Sequence, residues 1–382
     1  MNYCGGSWVE LSTSQLAANV RSVADATGKG PGGVIAVIKA DAYGHGAPLV
    51  AQALRAAGIR KFAVAYVAEG EEIRAAVPDA DLIFLLGRAT AADIPRLRQA
   101  GITSAVVSTE HAQELSRAAL AAGGAPLPVH LKLDTGMGRL GFVCPDQLPD
   151  ATSVLSLPGL RVEGLCMHFA KVEPESDPAW AATQLRKFQL AGTVLEAAAG
   201  RPLFRHTSAT RAALLLPSAD HDAVRVGIAL YGYETADVPG GRFATAPILS
   251  WKTRVIQVKP VPVGFHCGYD ATWTAARPSV LATLSVGYAD GYRRSFANRA
   301  PVLLNGVRCP VAGRVSMNWL IVDATEAAGP SADAVKVGDE AVLIGRQRDA
   351  SVWADELAAL DHTISYEILT SISHRLERRM VD

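Results

Sequence analysis

Five apolar residues, Val34-Ile35-Ala36-Val37-Ile38, run into a lysine and then into Ala40-Asp41-Ala42-Tyr43-Gly44-His45-Gly46. An apolar run without alternation, four of its five residues β-branched, reads as a strand covered on both faces, as in a parallel sheet. Lys39 then stands at the carboxyl end of a buried strand, where an unpaired ammonium is costly. Partial desolvation lowers an amine's pKa and suits it to a Schiff base with a carbonyl cofactor. The competing reading is a lysine that only snorkels past the strand end. A glycine-flanked turn and an alanine-rich helix are expected after it.

Similar runs recur at 62–67, 82–86, 103–107, 129–133, 162–167, 203–207 and 224–230, making eight. Between them lie segments such as 68–77, 91–100, 109–122 and 180–199, rich in alanine, leucine, glutamate and arginine, which are good helix formers. Eight strand–helix units in series predict an α/β barrel of the TIM type, (β/α)8. A doubly wound open sheet is the runner-up, but no G-x-G-x-x-G follows the first strand. Near Pro239-Gly240-Gly241 the texture changes to short strands at 251–259, 280–286, 301–304, 320–323 and 341–344, separated by turn residues such as Asn305-Gly306. The expected organisation is a barrel over 8–239 and a mostly β domain over 240–382, with residues 1–7 available to it. With 49% hydrophobic and 19% charged residues among 382, two cores are readily built.

Lysine plus arginine, at 37, balances aspartate plus glutamate, at 37, which argues against a nucleic-acid footprint or a polybasic membrane patch. No apolar run has the length of a membrane span, and the first residues lack a secretory pattern, so a cytoplasmic location is expected. The five cysteines are scattered with no C-x-x-C, and the nine histidines include no H-E-x-x-H. Neither a disulfide framework nor a bound metal is expected.

Barrels of this kind carry their chemistry at the carboxyl ends of the strands. Lys39 ends the first strand. Lys132 and Asp134 end the fifth, with Arg139 just beyond. His168 ends the sixth, Ser208 and Thr210 follow the seventh, and Arg225, Gly227 and Ile228 lie in or just after the eighth. Each has an ordinary reading: Lys132 paired with Asp134, His168 satisfied in a core, Arg225 buried against Asp222. In the second domain Tyr269 reads alone as a turn tyrosine packed on Trp273.

Taken together, VIKADAYGHG from Val37, LKLDTGMGRLG from Leu131, CMHFA from Cys166, VRVGIALYG from Val224, GYDATW from Gly268, VGYADGYRR from Val286 and RCPVAGRVSMN from Arg308 resemble the motifs of alanine racemases. The resemblance runs from Trp8 to Arg375 and implies a fold-type III enzyme of pyridoxal 5'-phosphate. It makes Lys39 the cofactor-bearing lysine and Tyr269 the second catalytic base, one for each face of the substrate Cα. Arg139, His168 and Arg225 are carried over as cofactor contacts, Arg225 facing the pyridine nitrogen where enzymes needing a full electron sink place an acid. Tyr43, Tyr366, Gly227, Ile228 and the hydroxyl of Ser208 or Thr210 are carried over to the phosphate. Arg139 and Met317 go to the substrate, Tyr288 to an entrance gate, and Lys132 to a position often carbamylated. A tyrosine base needs tuning, for which a cation such as His168 or Arg139 would serve.

The chain departs from the family pattern in several places. Thr207-Ser208-Ala209-Thr210 replaces an Asn-Ser turn, Gly268 and Asp270 flank Tyr269 where serine and glycine are usual, and Ser316 and Asn318 replace cysteine and aspartate. Asp270 lacks glycine's freedom at positive φ, so a different local backbone is expected there. The resemblance further implies a two-fold homodimer that lends Tyr269 and Met317 to the partner's site, and a supply of D-alanine for peptidoglycan. A serine or broad-specificity racemase remains open. An amino-acid decarboxylase would carry an acid at 225, and a non-enzymatic carrier of the cofactor would lack the β domain.

Overall fold

The parallel strands Val34–Val37, Lys61–Val64, Leu82–Leu85, Ile102–Val106, Leu127–Asp134, Leu160–Cys166 and Phe204–His206 are hydrogen-bonded in that order, and Val224–Val226 pairs back onto the first. The structure, a computed structural model, describes residues 6–172, 178–235, 238–329 and 334–382. Between the seventh and eighth strands the Arg225 N–H donates to the carbonyl of Ser208 at 2.9 Å. The eight strands therefore form a nearly closed barrel. Val34, Ile35, Ala36, Phe62, Ile83, Phe84 and Leu131 are fully buried, as their unbroken apolar runs require.

Helices pack between the strands and start where the chain supplies acceptors. The Ser108 side chain accepts the His111 N–H at the start of Thr109–Ala121. Helix Ile94–Ala100 ends on Gly101 in the left-handed region, φ 60°. The eighth strand is shorter than the apolar run that announces it. It stops at Val226, and the Leu230 and Tyr231 N–H groups turn back to the carbonyls of Gly227 and Ile228 at 2.8 and 3.1 Å. Burial alone accounts for the apolar residues past Val226, and no ladder continues through them.

A second unit gathers residues 1–15, 43–46 and 247–382, while 16–42 and 47–246 form the barrel unit. A division near 240 that lends only residues 1–7 to the second unit leaves out 8–15 and 43–46. Strand Ser7–Ser12 lies between Leu249–Val261 and Glu377–Val381 in the mostly β sheet, because its alternating face is buried there. Trp8 in it is flanked by the guanidinium groups of Arg254 and Arg379, 5.0 and 5.3 Å from the ring. Asn305 and Gly306 take φ values of 53° and 83° between strands Pro301–Leu304 and Val307–Pro310, the two-residue turn that such a pair favours.

The other segment is 43–46. The Arg378 Nε donates to the Gly44 carbonyl at 3.0 Å, and the Tyr43 and Tyr366 rings lie 5.6 Å apart. Gly44 has φ 81°, and a Cβ there would sit 2.2 Å from the Leu369 carbonyl oxygen. Gly44→Ala should therefore lower the stability of the C-terminal unit by about 1–3 kcal/mol, read as a lower urea midpoint by circular dichroism.

Candidate active site

Lys39 is followed by a turn whose handedness the sequence does not announce. Ala40, Asp41, Ala42 and Tyr43 have φ of 52°, 54°, 53° and 55°, so one turn of left-handed helix separates the strand from helix Ala47–Ala56. Each such residue costs roughly 1–2 kcal/mol. Strain of this kind persists only where surrounding bonds over-determine it. Among the bonds that hold it are Ala42 N–H to the Ile38 carbonyl at 3.0 Å, Ala47 N–H to Asp41 Oδ1 at 2.7 Å, and Ala40 N–H to Glu69 Oε1 at 2.7 Å. Behind them the buried Tyr231 hydroxyl donates to the Val37 carbonyl at 2.9 Å.

Asp134 is an organiser of backbone and not the partner of Lys132. Its Oδ1 accepts the N–H groups of Gly136, Met137 and Gly138, and its Oδ2 that of Arg139, at 2.9–3.1 Å. Burial works against the Asp134 carboxylate, yet these four donors hold its pKa below the ordinary 3.8. Lys132, buried, makes no hydrogen bond or ion pair among the described residues. Burial pushes its pKa down, and Arg225 and Arg139 push the same way. Lys39 is lowered as well, by burial and then by Arg139, with Glu69 opposing.

Arg225 is 3% exposed and has no carboxylate partner among the described residues. The Asp222 expected beside it accepts the Arg205 N–H instead. Arg225 Nη2 donates to the Met167 and Thr207 carbonyls at 2.7 and 3.1 Å, and Nη1 to the His206 carbonyl. Nη1 also lies 3.0 Å from His206 Nδ1, whose Nε2 is 2.9 Å from His130 Nδ1. A guanidinium can only donate. His206 therefore accepts at Nδ1 and donates from Nε2, which places the His130 proton on Nε2. Burial followed by the field of Arg225 holds His130 at about 3 and His206 well below its ordinary value. The sequence reading missed both histidines, because on alternate positions of apolar strands they look like core residues.

His168 interacts electrostatically with Arg225, Lys132, Arg139 and Lys39, so these cations converge. Burial first, then that field, lowers His168 to about 3. It is a neutral ring at working pH and not a cation that could tune a tyrosine. Ser208 is fully buried and donates to the Ala219 carbonyl at 2.9 Å, with Asp220 at 3.1 Å. The Thr210 hydroxyl accepts the Gly227 N–H at 3.4 Å. The buried Ile228 N–H has no protein acceptor among the described residues. Four cationic side chains, an orphaned N–H and carboxylates already engaged suit an anionic ligand.

In the C-terminal unit, Tyr288 and Ala289 N–H groups donate to the Ser316 and Met317 carbonyls at 3.0 and 2.9 Å, fusing two of the sequence motifs. Gly287 allows this, since a Cβ there would lie 2.3 Å from both carbonyl oxygens. Asp270 does adopt the left-handed conformation, φ 61° and ψ 14°, against expectation. Aspartate tolerates that region, and Arg314 Nε lies 2.7 Å from Asp270 Oδ2. Tyr269, Trp319, Met317 and Tyr288 are 68%, 55%, 54% and 42% exposed.

Residues 11–235 match the alanine racemase N-terminal domain and residues 248–380 the alanine racemase C-terminal domain. The chain belongs to the alanine racemase family. Alanine racemases of Carboxydothermus hydrogenoformans and Desulfosudis oleivorans are 40% and 39% identical to it, over 97% of this chain and 98% and 95% of theirs. The solved alanine racemase from Bacillus anthracis with bound L-Ala-P has a TM-score of 0.89 at 31% identity, covering 100% of this chain and 96% of that one. The biosynthetic alanine racemase from Pseudomonas aeruginosa gives 0.82 at 34%, covering 99% and 100%. Family membership makes the chain an isomerase, an amino-acid racemase that depends on pyridoxal phosphate. The convergent cations and the unpartnered N–H of the barrel rim fit such a phosphorylated, carbonyl-bearing group.

Removing the Asp134 carboxylate by Asp134→Ala would strand four N–H groups. It should lower unfolding stability at neutral pH by about 1–3 kcal/mol. Because the folded pKa of Asp134 is depressed, its contribution is complete above the ordinary 3.8 and fades as the pH falls through the folded value. Urea titrations of the two proteins should therefore converge on acidification and differ most near neutrality.

Proposed function

We propose that the chain interconverts L- and D-alanine, with Lys39 and Tyr269 exchanging protons at opposite faces of the substrate Cα. The observation that carries this is Arg225, buried with no carboxylate partner among the described residues and locked as a donor by carbonyls and His206. Pyridoxal phosphate carried on Lys39 supplies an electron-withdrawing ring that acidifies the Cα–H bond. A permanent donor at the ring nitrogen disfavours its protonation. That keeps the ring a modest electron sink, which favours simple proton exchange over decarboxylation, where an acid would stand at 225.

The other roles follow from charge and placement. Thr210 and the Gly227 and Ile228 N–H groups, with Tyr43 and Tyr366, bind the phosphate. Ser208 supports the turn from behind through Ala219 and Asp220. Arg139, its backbone set by Asp134, takes the substrate carboxylate with a planar fork. His168 packs on the cofactor as a neutral ring. Lys39 is lowered toward the range of a useful base by burial and by Arg139. Lys132, buried and depressed in pKa, is suited to react with carbon dioxide, and a carbamate there would turn a stranded cation into a partner for Arg139. Tyr288 gates entry and Met317 contacts the substrate.

Tyr269 comes from a second copy in a two-fold homodimer, which accounts for a catalytic tyrosine left exposed on its own chain. The setting is the cytoplasm, and the product serves peptidoglycan synthesis. Reduction with borohydride in the presence of pyridoxal phosphate should tag Lys39 alone, and Lys39→Ala should abolish both the tag and alanine inversion. A tag on any other lysine overturns the assignment. Co-expressed heterodimers of Lys39→Ala and Tyr269→Phe chains should retain about half the wild-type activity, since one of two shared sites is then intact. If both residues served within one chain, each site would carry a lesion and the heterodimer would be as weak as its parents.

A further inference from the structure

Glu69 is the third residue of helix Val67–Ala76, one strand–helix unit beyond Lys39. Its Oε2 accepts the Ala65 and Tyr66 N–H groups at 2.7 and 3.0 Å, which is the helix-capping arm expected of a glutamate in that position. Capping leaves the other oxygen unexplained. Oε1 reaches 29 residues back in sequence and accepts the Ala40 N–H at 2.7 Å. Ala40 follows Lys39 directly and opens the left-handed turn. One carboxylate therefore ties the start of the neighbouring helix to the strained peptide beside the catalytic lysine.

We propose that Glu69 is a positioning residue for Lys39, pinning the left-handed turn from which the amine projects and setting a fixed negative charge beside it. Resting on the racemase reading above, the proposal adds a residue to which the sequence motifs assign no role. The turn draws on the bond because Ala40 and Ala42 have no polar side chain to offset the left-handed conformation, while Asp41 Oδ1 accepts the Ala47 N–H at the far end of the turn and leaves its start to Glu69. The charge has a function of its own. The groups acting on Lys39 are Arg139, Glu69 and His168. His168 is neutral and Arg139 is cationic, so of these three Glu69 is the one that favours the ammonium. A lysine that must hold a proton in one direction of the reaction and release it in the other needs both influences. Glutamine cannot replace the carboxylate, because three N–H donors converge on two oxygens and one of these would become an NH2.

Two structural consequences of Glu69→Gln have opposite signs at Lys39. Loss of the negative charge lowers the amine's pKa. A turn that merely loosened would admit water and raise it toward the ordinary lysine value. Competitive acetylation of Lys39, followed by mass spectrometry across pH in the cofactor-stripped full chain, reads that sign directly. The expected result for Glu69→Gln is a downward shift, with kcat of the reloaded enzyme reduced on the order of 100-fold and KM little changed. Glu69→Asp keeps the charge but loses reach, so it should shift the amine less than Gln while still lowering kcat. An upward shift, or an unmoved amine with unmoved kcat, overturns the proposal. Should Glu69→Gln fail to fold, the Asp variant decides by the same two readouts. If borohydride instead tags a lysine other than 39 in the wild type, the racemase assignment of Lys39 falls, while the acetylation profile still reports whether Glu69 governs that amine.

Discussion

A buried guanidinium with no carboxylate beside it among the described residues is the constraint from which the rest of this site follows. Burying an unpaired charge costs several kcal/mol even after relaxation. Arg225 offsets part of that with carbonyl oxygens of Met167, Thr207 and His206, whose dipoles hold the cation without cancelling its charge. The uncancelled field then acts on every titratable neighbour. Burial first and then this field hold His168 and His130 at about 3, and the same two causes depress Lys132. Two of the three histidines form a directed chain, since a donor that never accepts fixes the tautomer of the first ring and, through it, the second. The barrel interior is thus set for an anionic guest, and binding one would stabilise the fold by mass action.

The acidic residues that could have neutralised this field are used to hold backbone. Asp134 accepts four N–H groups of the loop that carries Arg139, and Glu69 accepts three at the junction of two strand ends. Each carboxylate organises a segment with unfavourable or irregular geometry. Each keeps its charge while doing so, and Asp134 and Glu69 still favour the charged forms of Lys132 and Lys39.

The barrel was legible because buried parallel strands leave continuous apolar runs, and eight of them stand in series. The rim residues were legible from their positions at the run ends, and the hairpin at Asn305-Gly306 from its turn chemistry. What escaped had no local signature. Nothing in Ala40-Asp41-Ala42-Tyr43 announces positive φ, because the conformation is imposed by tertiary bonds such as Ala40 to Glu69. The end of the eighth strand was overrun for a similar reason: Ala229, Leu230 and Tyr231 are apolar because they are buried in a turn. That Ser208 is engaged by Ala219 and Asp220 was equally hidden, because both partners are remote from the motif. Strand Ser7–Ser12 joins a sheet most of which lies more than 230 residues away in the chain, a pairing that only its neighbours Leu249–Val261 and Glu377–Val381 define.

The C-terminal unit shows the same economy in a different material. Residues 312–318 touch both of the turns that present aromatic groups. Cys267 donates to the Ala312 carbonyl, Arg314 pairs with Asp270, and Ser316 and Met317 carbonyls receive the turn that holds Tyr288. Tyr269, Tyr288, Met317 and Trp319 are thereby displayed from rigid backbone with their side chains in solvent. Under the two-base reading proposed above, the placement of Tyr269 matters, because a misplacement of about 1 Å is worth about 100-fold in rate. Asp270 illustrates the point: its strained left-handed backbone is held by Arg314, so the turn beside Tyr269 keeps its shape without the glycine that would adopt it freely.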